Sequence, residues 1–513
     1  MHQLHSFLGG AWITGEGPGS QLFNPTTEQP VAQTSTVGLD FGAALTYARD
    51  VGGPALQALT FAERGALLAA MSKAIHAQRE ALIEIGQINA GNTRGDAKFD
   101  IDGATGTLMY YAGLGKTLGD RTVLLDGEDV QLTRDPRMRG RHVRVSRPGA
   151  AVLINAFNFP AWGLAEKMAC AILAGMPVVG KPATATAWMT EAMVRAVVDA
   201  EILPAGVLSL ISGRAGDLLD HVQWGDVIAF TGGAETGAHI RQHPQVLASG
   251  ATVNIEADSL NAMVLLPDAD EATYDAFIRD AHREITQKAG QKCTATRRIL
   301  VPNEQIDEVI EDLGAMLERL KVGDPSDAAF RMGPLASKTQ HRSAQEGLAT
   351  LQAHASVVWG DPEGGAQING GTGWFVTPVL FKAHDPHTDS PLHNVEVFGP
   401  FSTLMGYDAI NQIAPIVRLG QGSLVGSLYG DDRTAITTLI SQLAGWHGRL
   451  VITDAKIAEK AMGPGVVMPQ LQHGGPGRAG GGQELGGLAG LSLYTQRCAI
   501  QGNGPLLDRL LGA

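Results

Sequence analysis

The segment AGQKCTATRR, residues 289–298, holds Cys293, one of three cysteines in the chain. The thiolate is the reactive form of this side chain, and its unperturbed pKa of ~8.5 falls when cations or backbone N–H groups lie close. Lys292, Arg297 and Arg298 are candidate cations, which makes Cys293 a candidate nucleophile. A thiol buried for packing is the other reading of the same residues. Cys170, on the apolar stripe of an expected helix, is read as core, and Cys498 as incidental. A cysteine nucleophile needs a donor for the oxyanion and a group that acts on the covalent intermediate. In NAFNFP (155–160) the amide of Asn158 can donate, although an asparagine so near a proline is also a common turn residue. In NIEADSLN (254–261) Glu256 ends an apolar strand, where a carboxylate is either a general base or simply solvated or paired.

Two further segments suit a phosphate-bearing ligand. FTGGAETG (230–237) reads as a strand, a turn of Thr231, Gly232 and Gly233, then a helix whose N-terminus can hold an anion. Its spacing is not GxGxxG, so the turn alone is a weak signal. Lys181, in GKPAT, stands at another strand end, where its ammonium can hold ribose or phosphate or can reach out to water.

The elements that position these residues alternate from about residue 150. Strands are expected in AAVLINAF, PVVGKPA, VLSLISG, DVIAFTG and TVNIEA, with helices in AWGLAEKMACAILAG, TEAMVRAVVDAEI, AGDLLDHV and AETGAHIRQH. Strands without polar alternation imply a parallel sheet covered on both faces, with ligands at its carboxyl edge. A second α/β block follows, with helices over 271–290 and 304–321 and strands in RRILVP, WFVTPVLF and SLVGSLYG. Residues 130–147 alternate like a hairpin around Gly140, and the glycine-dense tract 473–490 has the composition of a flexible linker.

A formal charge of 39 − 52 = −13 argues against a nucleic-acid or anionic-membrane binder. No metal-ligand spacing links the cysteines, so no metal is expected. Free thiols and the absence of a signal-like start make the cytoplasm the expected compartment.

Taken in order, NAFNFP, GKPA, FTGGAETG, NIEA, GQKCTATRR, EVFGP and GGQELGG closely resemble the aldehyde dehydrogenase superfamily. The resemblance implies an α/β fold with a Rossmann-like cofactor domain (1–129 and 148–257), an α/β catalytic domain (258–472) and a small β oligomerisation element (130–147 and 485–513). It implies that Cys293 attacks the aldehyde and that Asn158, with the Cys293 backbone N–H, stabilises the oxyanion. A hydride then passes to nicotinamide, and Glu256 activates water to release the acid. Lys167 and Glu484 match residues of a proton relay. For the cofactor, the resemblance assigns Lys181 to the adenosine ribose, Thr231, Gly232 and Gly233 to the pyrophosphate, and Glu396 to the nicotinamide ribose. Phe398 packs near the nicotinamide ring, and Phe157 lines the same cleft.

Three positions depart from the family pattern. Glu256 is followed by Ala257, Asp258, Ser259 and Leu260 rather than Leu-Gly-Gly-Lys, which gives Asp258 a possible influence on Glu256. Thr184 stands where members that prefer NAD often carry a glutamate, so NADP is expected, with NAD possible, and Arg214 is a candidate partner for the 2′-phosphate. Gln483 replaces an arginine often found before Glu484.

NAFNFPAWGLAEKMA, KPATATA, EADSLN and HGGPGRAGGGQELGG narrow the resemblance to enzymes that oxidise CoA-linked semialdehydes in aerobic aromatic degradation. Because the chain stops at 513, without the hydratase domain of the bifunctional members, the stand-alone role is expected: oxidation of 3,4-dehydroadipyl-CoA semialdehyde. Alternatives are another ring-cleavage semialdehyde, a CoA-acylating enzyme, which commonly lacks the glutamate base, or a catalytically silent structural homologue. Six arginines between Arg134 and Arg147 admit a CoA-phosphate role, but the resemblance places them in the oligomerisation element and implies at least a homodimer.

Overall fold

The computed structural model, which describes residues 1–511, is built on two seven-stranded sheets and three smaller ones of four, three and two strands. Five strands of the first sheet are parallel, in the spatial order Thr252–Glu256, Val227–Thr231, Ala151–Ile154, Val178–Lys181, Leu208–Leu210. Two short antiparallel strands, Ser6–Leu8 and Ala11–Ile13, close one edge. The order reverses at the centre: the chain runs outward from Ala151–Ile154 in one direction, then returns to lay Val227–Thr231 on its other side. Such a switch opens a crevice at the carboxyl ends of the two strands. Asn155–Asn158 and Thr231–Gly233 both lie there.

The apolar strands form as expected because helices cover both faces. Trp162–Ala174 is buried along nearly its whole length and stops at Gly175 (φ 90°), whose N–H returns to the Ile172 carbonyl. The second sheet runs Ala355–Trp359, Val379–Ala383, Phe401–Tyr407, Thr296–Pro302, Asn261–Leu265, Ser423–Tyr429, His447–Thr453. Its first strand alone is antiparallel to its neighbour. The small sheet pairs Met138–Ser146 with Thr495–Asn503 over nine residues, so a segment from each end of the expected oligomerisation element meets in one ladder.

Several expectations need correction. The helix from 271 ends at Thr286, because Lys288 and Ala289 adopt left-handed φ of 55° and 53° and turn the chain. The expected 304–321 helix narrows to Ile306–Glu318. AGDLLDHV makes only a short turn of 3-10 helix, Leu218–His221. Gly140 is not a hairpin tip: it lies inside Met138–Ser146, opposite Val130 on one side and Gln501 on the other, and the chain reverses before it through Thr133–Arg137. The glycine-dense tract is no linker. It forms the ribbon Gln472–Gly474 with Gln483–Leu485, and a Cβ at Gly480 or Gly482 would lie 2.3 Å from the Ile255 carbonyl oxygen. Its glycines allow the ribbon to pack directly on the strand that ends in Glu256.

Candidate active site

Cys293 lies on a short loop fixed from three sides. Gly290, with φ 68°, passes so close to Gly399 that a Cβ there would be 2.1 Å from its carbonyl oxygen. Asn261 donates its amide to the carbonyls of Cys293 and Ala295 at 2.8 and 2.9 Å, and its own oxygen accepts from Ser259. Asn158 enters from the carboxyl end of Ala151–Ile154, and its Nδ2 donates to the Gln291 carbonyl at 3.0 Å. Glu256 closes Thr252–Glu256, on the far side of Val227–Thr231, and is fully buried, with Thr231 Oγ1 3.5 Å from Oε2.

Two clefts meet at this loop. One is a largely apolar pocket, walled by Phe99, Phe159, Trp162 and Val467 and floored by Asn158, Glu256, Cys293 and His473. The other is a longer cleft of about 1140 Å³ along the carboxyl edge of the first sheet, with Phe157, Lys181, Thr231, Gly232, Gly233, Glu396 and Phe398 in its wall. Asn158, Glu256 and Cys293 border both. Phe157 and Phe398 face each other edge to face across the second cleft, ring centroids 5.9 Å apart.

The sequence neighbours of Cys293 do not do what their charges suggest. Lys292 Nζ is paired with Glu284 at 2.8 Å, Arg297 donates to the Gly399 and Gly290 carbonyls, and Arg298 donates to those of Leu260 and Val417. All three are buried and tie the loop to its surroundings. Burial and the Glu256 carboxylate push the Cys293 thiol well above its ordinary value. Two polar groups reach the sulfur: the Glu256 carboxylate, and His473, whose Nε2 lies 3.8 Å from Sγ and 3.2 Å from Glu256 Oε1. Sequence reasoning did not single out His473. Its signal was its place at the head of the glycine-dense tract, directly across the ribbon from Glu484. Burial favours a protonated Glu256, but the imidazole, and Lys167 behind it, hold the carboxyl down at about 2.

Lys167 and Glu484 come together as a buried pair 2.9 Å apart, and Glu166 joins them at 3.1 Å. Carboxylate oxygens of Glu166, Glu256 and Glu484 all lie within 4.8 Å of one another, around one ammonium. Burial opposes the charge on Lys167, but Glu484, Glu166 and Glu256 outweigh it and hold the ammonium well above the ordinary lysine value. Replacing Lys167 by Met leaves these carboxylates without their cation. The loss expected for one half of a buried pair is ~3–5 kcal/mol, read as a fall in the denaturant midpoint. An unchanged midpoint would show that the cluster contributes no net stability.

The second cleft fits a dinucleotide. Lys181 has no acidic partner among the described residues, and burial lowers its pKa to about 8, so it gains from an anionic or hydroxylated ligand. Glu396 is held by the Ser259 N–H at 3.0 Å, and burial pushes its pKa up to about 7 against the pull of Arg297. Asp258 caps the helix Ala234–Gln242, accepting from the Ala234 N–H at 3.0 Å. The carboxylate that feels its charge is Glu396, rather than Glu256 as the sequence suggested. Thr184 and Arg214 are outside the cleft wall: Thr184 opens a 3-10 turn beside Ala183, and Arg214 is exposed.

Residues 12–500 match the model of the aldehyde dehydrogenase family. This chain belongs to that family. A 3,4-dehydroadipyl-CoA semialdehyde dehydrogenase of Aromatoleum evansii is 44% identical over 92% of this chain and 93% of its own length. A hydroxyisobutyraldehyde dehydrogenase of Mycolicibacterium austroafricanum is 28% identical over 96% and 92%. Among solved structures, a betaine aldehyde dehydrogenase of Staphylococcus aureus in complex with NAD+ superposes with TM-score 0.85 at 24% identity, covering 98% of this chain and 95% of that one. A putative aldehyde dehydrogenase of Burkholderia cenocepacia gives 0.84 at 25% identity, with 98% of each chain covered. The protein therefore has the aldehyde dehydrogenase fold and is an NAD(P)-dependent enzyme acting on an aldehyde. No helix among the described residues is long and apolar enough to cross a membrane.

Proposed function

We propose that this aldehyde dehydrogenase oxidises a CoA-linked semialdehyde, 3,4-dehydroadipyl-CoA semialdehyde, to the acid with NADP. The observation that carries the reaction is the position of Cys293, the floor of an apolar cavity on one side and of a dinucleotide-sized cleft on the other. The substrate rests on the 44% identity to a relative of that name. Cys293 Sγ attacks the aldehyde carbon from the cavity floor, and Asn158 Nδ2, released from the Gln291 carbonyl, donates to the oxyanion together with the Cys293 backbone N–H. A bound dinucleotide supplies the hydride acceptor. Glu256 then takes a proton from the water that attacks the thioester on Cys293, and the acid leaves. Lys167 and Glu484 pass that proton on from Glu256, a reading supported by their buried pair and by the Glu256 and Glu484 oxygens within 4.8 Å of each other.

In the cofactor cleft, Lys181 binds the adenosine ribose, Gly232 and Gly233 let the pyrophosphate approach, and Glu396 and Phe398 hold the nicotinamide end. The cofactor domain is read as 1–129 with 148–257, the catalytic domain as 258–472, and the small sheet as the element through which at least a homodimer forms.

Free and CoA-linked semialdehydes assayed with NAD and with NADP test the assignment. The highest kcat/KM is expected for the CoA-linked substrate with NADP, and a free aldehyde turned over equally well would overturn it. The NADP preference rests on Thr184, which puts no carboxylate near the 2′ position. Thr184→Glu should shift the NADP-to-NAD ratio of kcat/KM toward NAD by about tenfold, as ~1.4 kcal/mol of repulsion gives. Product analysis with free CoA present should yield acid rather than a new thioester.

A further inference from the structure

His473 lines the first cavity beside Glu256 and Cys293 and has no part in the scheme above. Its side chain is 5% exposed, its backbone is fixed by the ribbon, and one atom each of Glu256, Cys293 and His473 lies within 4.8 Å of the other two. The contacts are not equivalent. Nε2 is aligned to hydrogen-bond with Cys293 Sγ at 3.8 Å. Toward Glu256 it lies at ion-pair distance, and Oε1 there has no hydrogen-bond partner. A thiol buried beside a carboxylate resists ionisation, and the three cations next to it in sequence are engaged elsewhere. Another group must offset that resistance if the sulfur is to attack a carbonyl near neutral pH.

We propose that His473 is a catalytic residue: its Nε2 takes the proton that leaves Cys293 Sγ and holds the thiolate beside a charged imidazolium, with Glu256 as counter-charge. This rests on the reading of Cys293 as nucleophile. One proton is shared among three groups. On sulfur, it leaves a neutral ring and a Glu256 carboxylate; on the ring, it leaves thiolate on one side and carboxylate on the other. The S–C bond then forms from the thiolate. When the thioester is hydrolysed, the C–S bond breaks, the electron pair returns to sulfur, and the ring gives its proton back. The other charged groups that act on the imidazole are Glu166, which supports its charge, and Arg449, which opposes it; burial also opposes it, and Glu256 prevails. With the ring's proton directed to sulfur, Glu256 Oε1 stays open to the water it must deprotonate.

The test is the rate at which iodoacetamide alkylates Cys293 in the full-length protein, followed by mass spectrometry from neutral to alkaline pH. It needs neither aldehyde nor cofactor, so a failed substrate assignment leaves its outcome intact. Wild type should alkylate with an inflection below the ordinary thiol value of ~8.5. His473→Gln and His473→Phe should react at least ~tenfold more slowly at neutral pH and recover at alkaline pH, as a lost thiolate fraction requires. NADP binding, followed by fluorescence quenching, reports that the variants are folded. Folded variants that alkylate at the wild-type rate would overturn the proposal. So would a wild-type inflection at or above the ordinary thiol value, a result that needs no variant.

Discussion

Cys293→Ala is expected to lower kcat/KM for aldehyde oxidation by ~10⁴-fold or more, while the dinucleotide still binds. The substitution removes the sulfur and nothing else that borders the cofactor cleft: Lys181, Gly232, Gly233, Glu396 and Phe398 keep their places. The loop keeps its shape as well, because Asn261 holds it through the Cys293 and Ala295 carbonyls and Arg297 through those of Gly290 and Gly399. Loss of turnover with retained cofactor quenching therefore isolates the covalent step. Oxidation by the Ala variant at more than ~1% of wild type would mean that another group attacks the aldehyde, or that none does.

Glu256→Gln keeps the volume at the end of its strand and removes the charge. Steady-state turnover should fall by ~10²–10⁴-fold, the range for loss of a general base. The first turnover should survive, giving a burst of about one reduced nicotinamide per active site followed by a slow phase. Mass spectrometry of the quenched enzyme should show the acyl group on the Cys293 peptide. Equal slowing of burst and steady state would place Glu256 in the attack step rather than in release of the acid.

Much of this site could be read from the chain. Asn158, Glu256, Lys181 and the Thr231–Gly233 turn each follow an apolar strand of a parallel sheet, and such strands are legible because both faces are buried. The structure brings all of them to one crevice with Cys293. The electrostatics were not legible. Lys292, Arg297 and Arg298 look in sequence like activators of the thiol, yet each is bound elsewhere: Lys292 to Glu284 in the preceding helix, Arg297 and Arg298 to the distant Gly399 and Val417. His473, separated from Cys293 by 180 residues, is the one that arrives. The linker reading of 473–490 failed for a related reason. Glycine content reports either backbone freedom or the need for close approach, and only the neighbouring Ile255 carbonyl distinguishes them. At Lys288 and Ala289 the left-handed turn defeats helix periodicity, because neither residue type signals it.

His473 and Glu484 face each other across a ladder of three residue pairs, one reaching the sulfur and the other the buried lysine. A slip of one step in that ladder turns one of the two side chains to the opposite side while its partner stays. Deleting or inserting a single glycine between 475 and 482 would thus separate the group at the thiol from the partner of Lys167. Loop grafting aimed at new substrates can work on the aromatic walls around Phe99 and Trp162, but this crossing must keep its length.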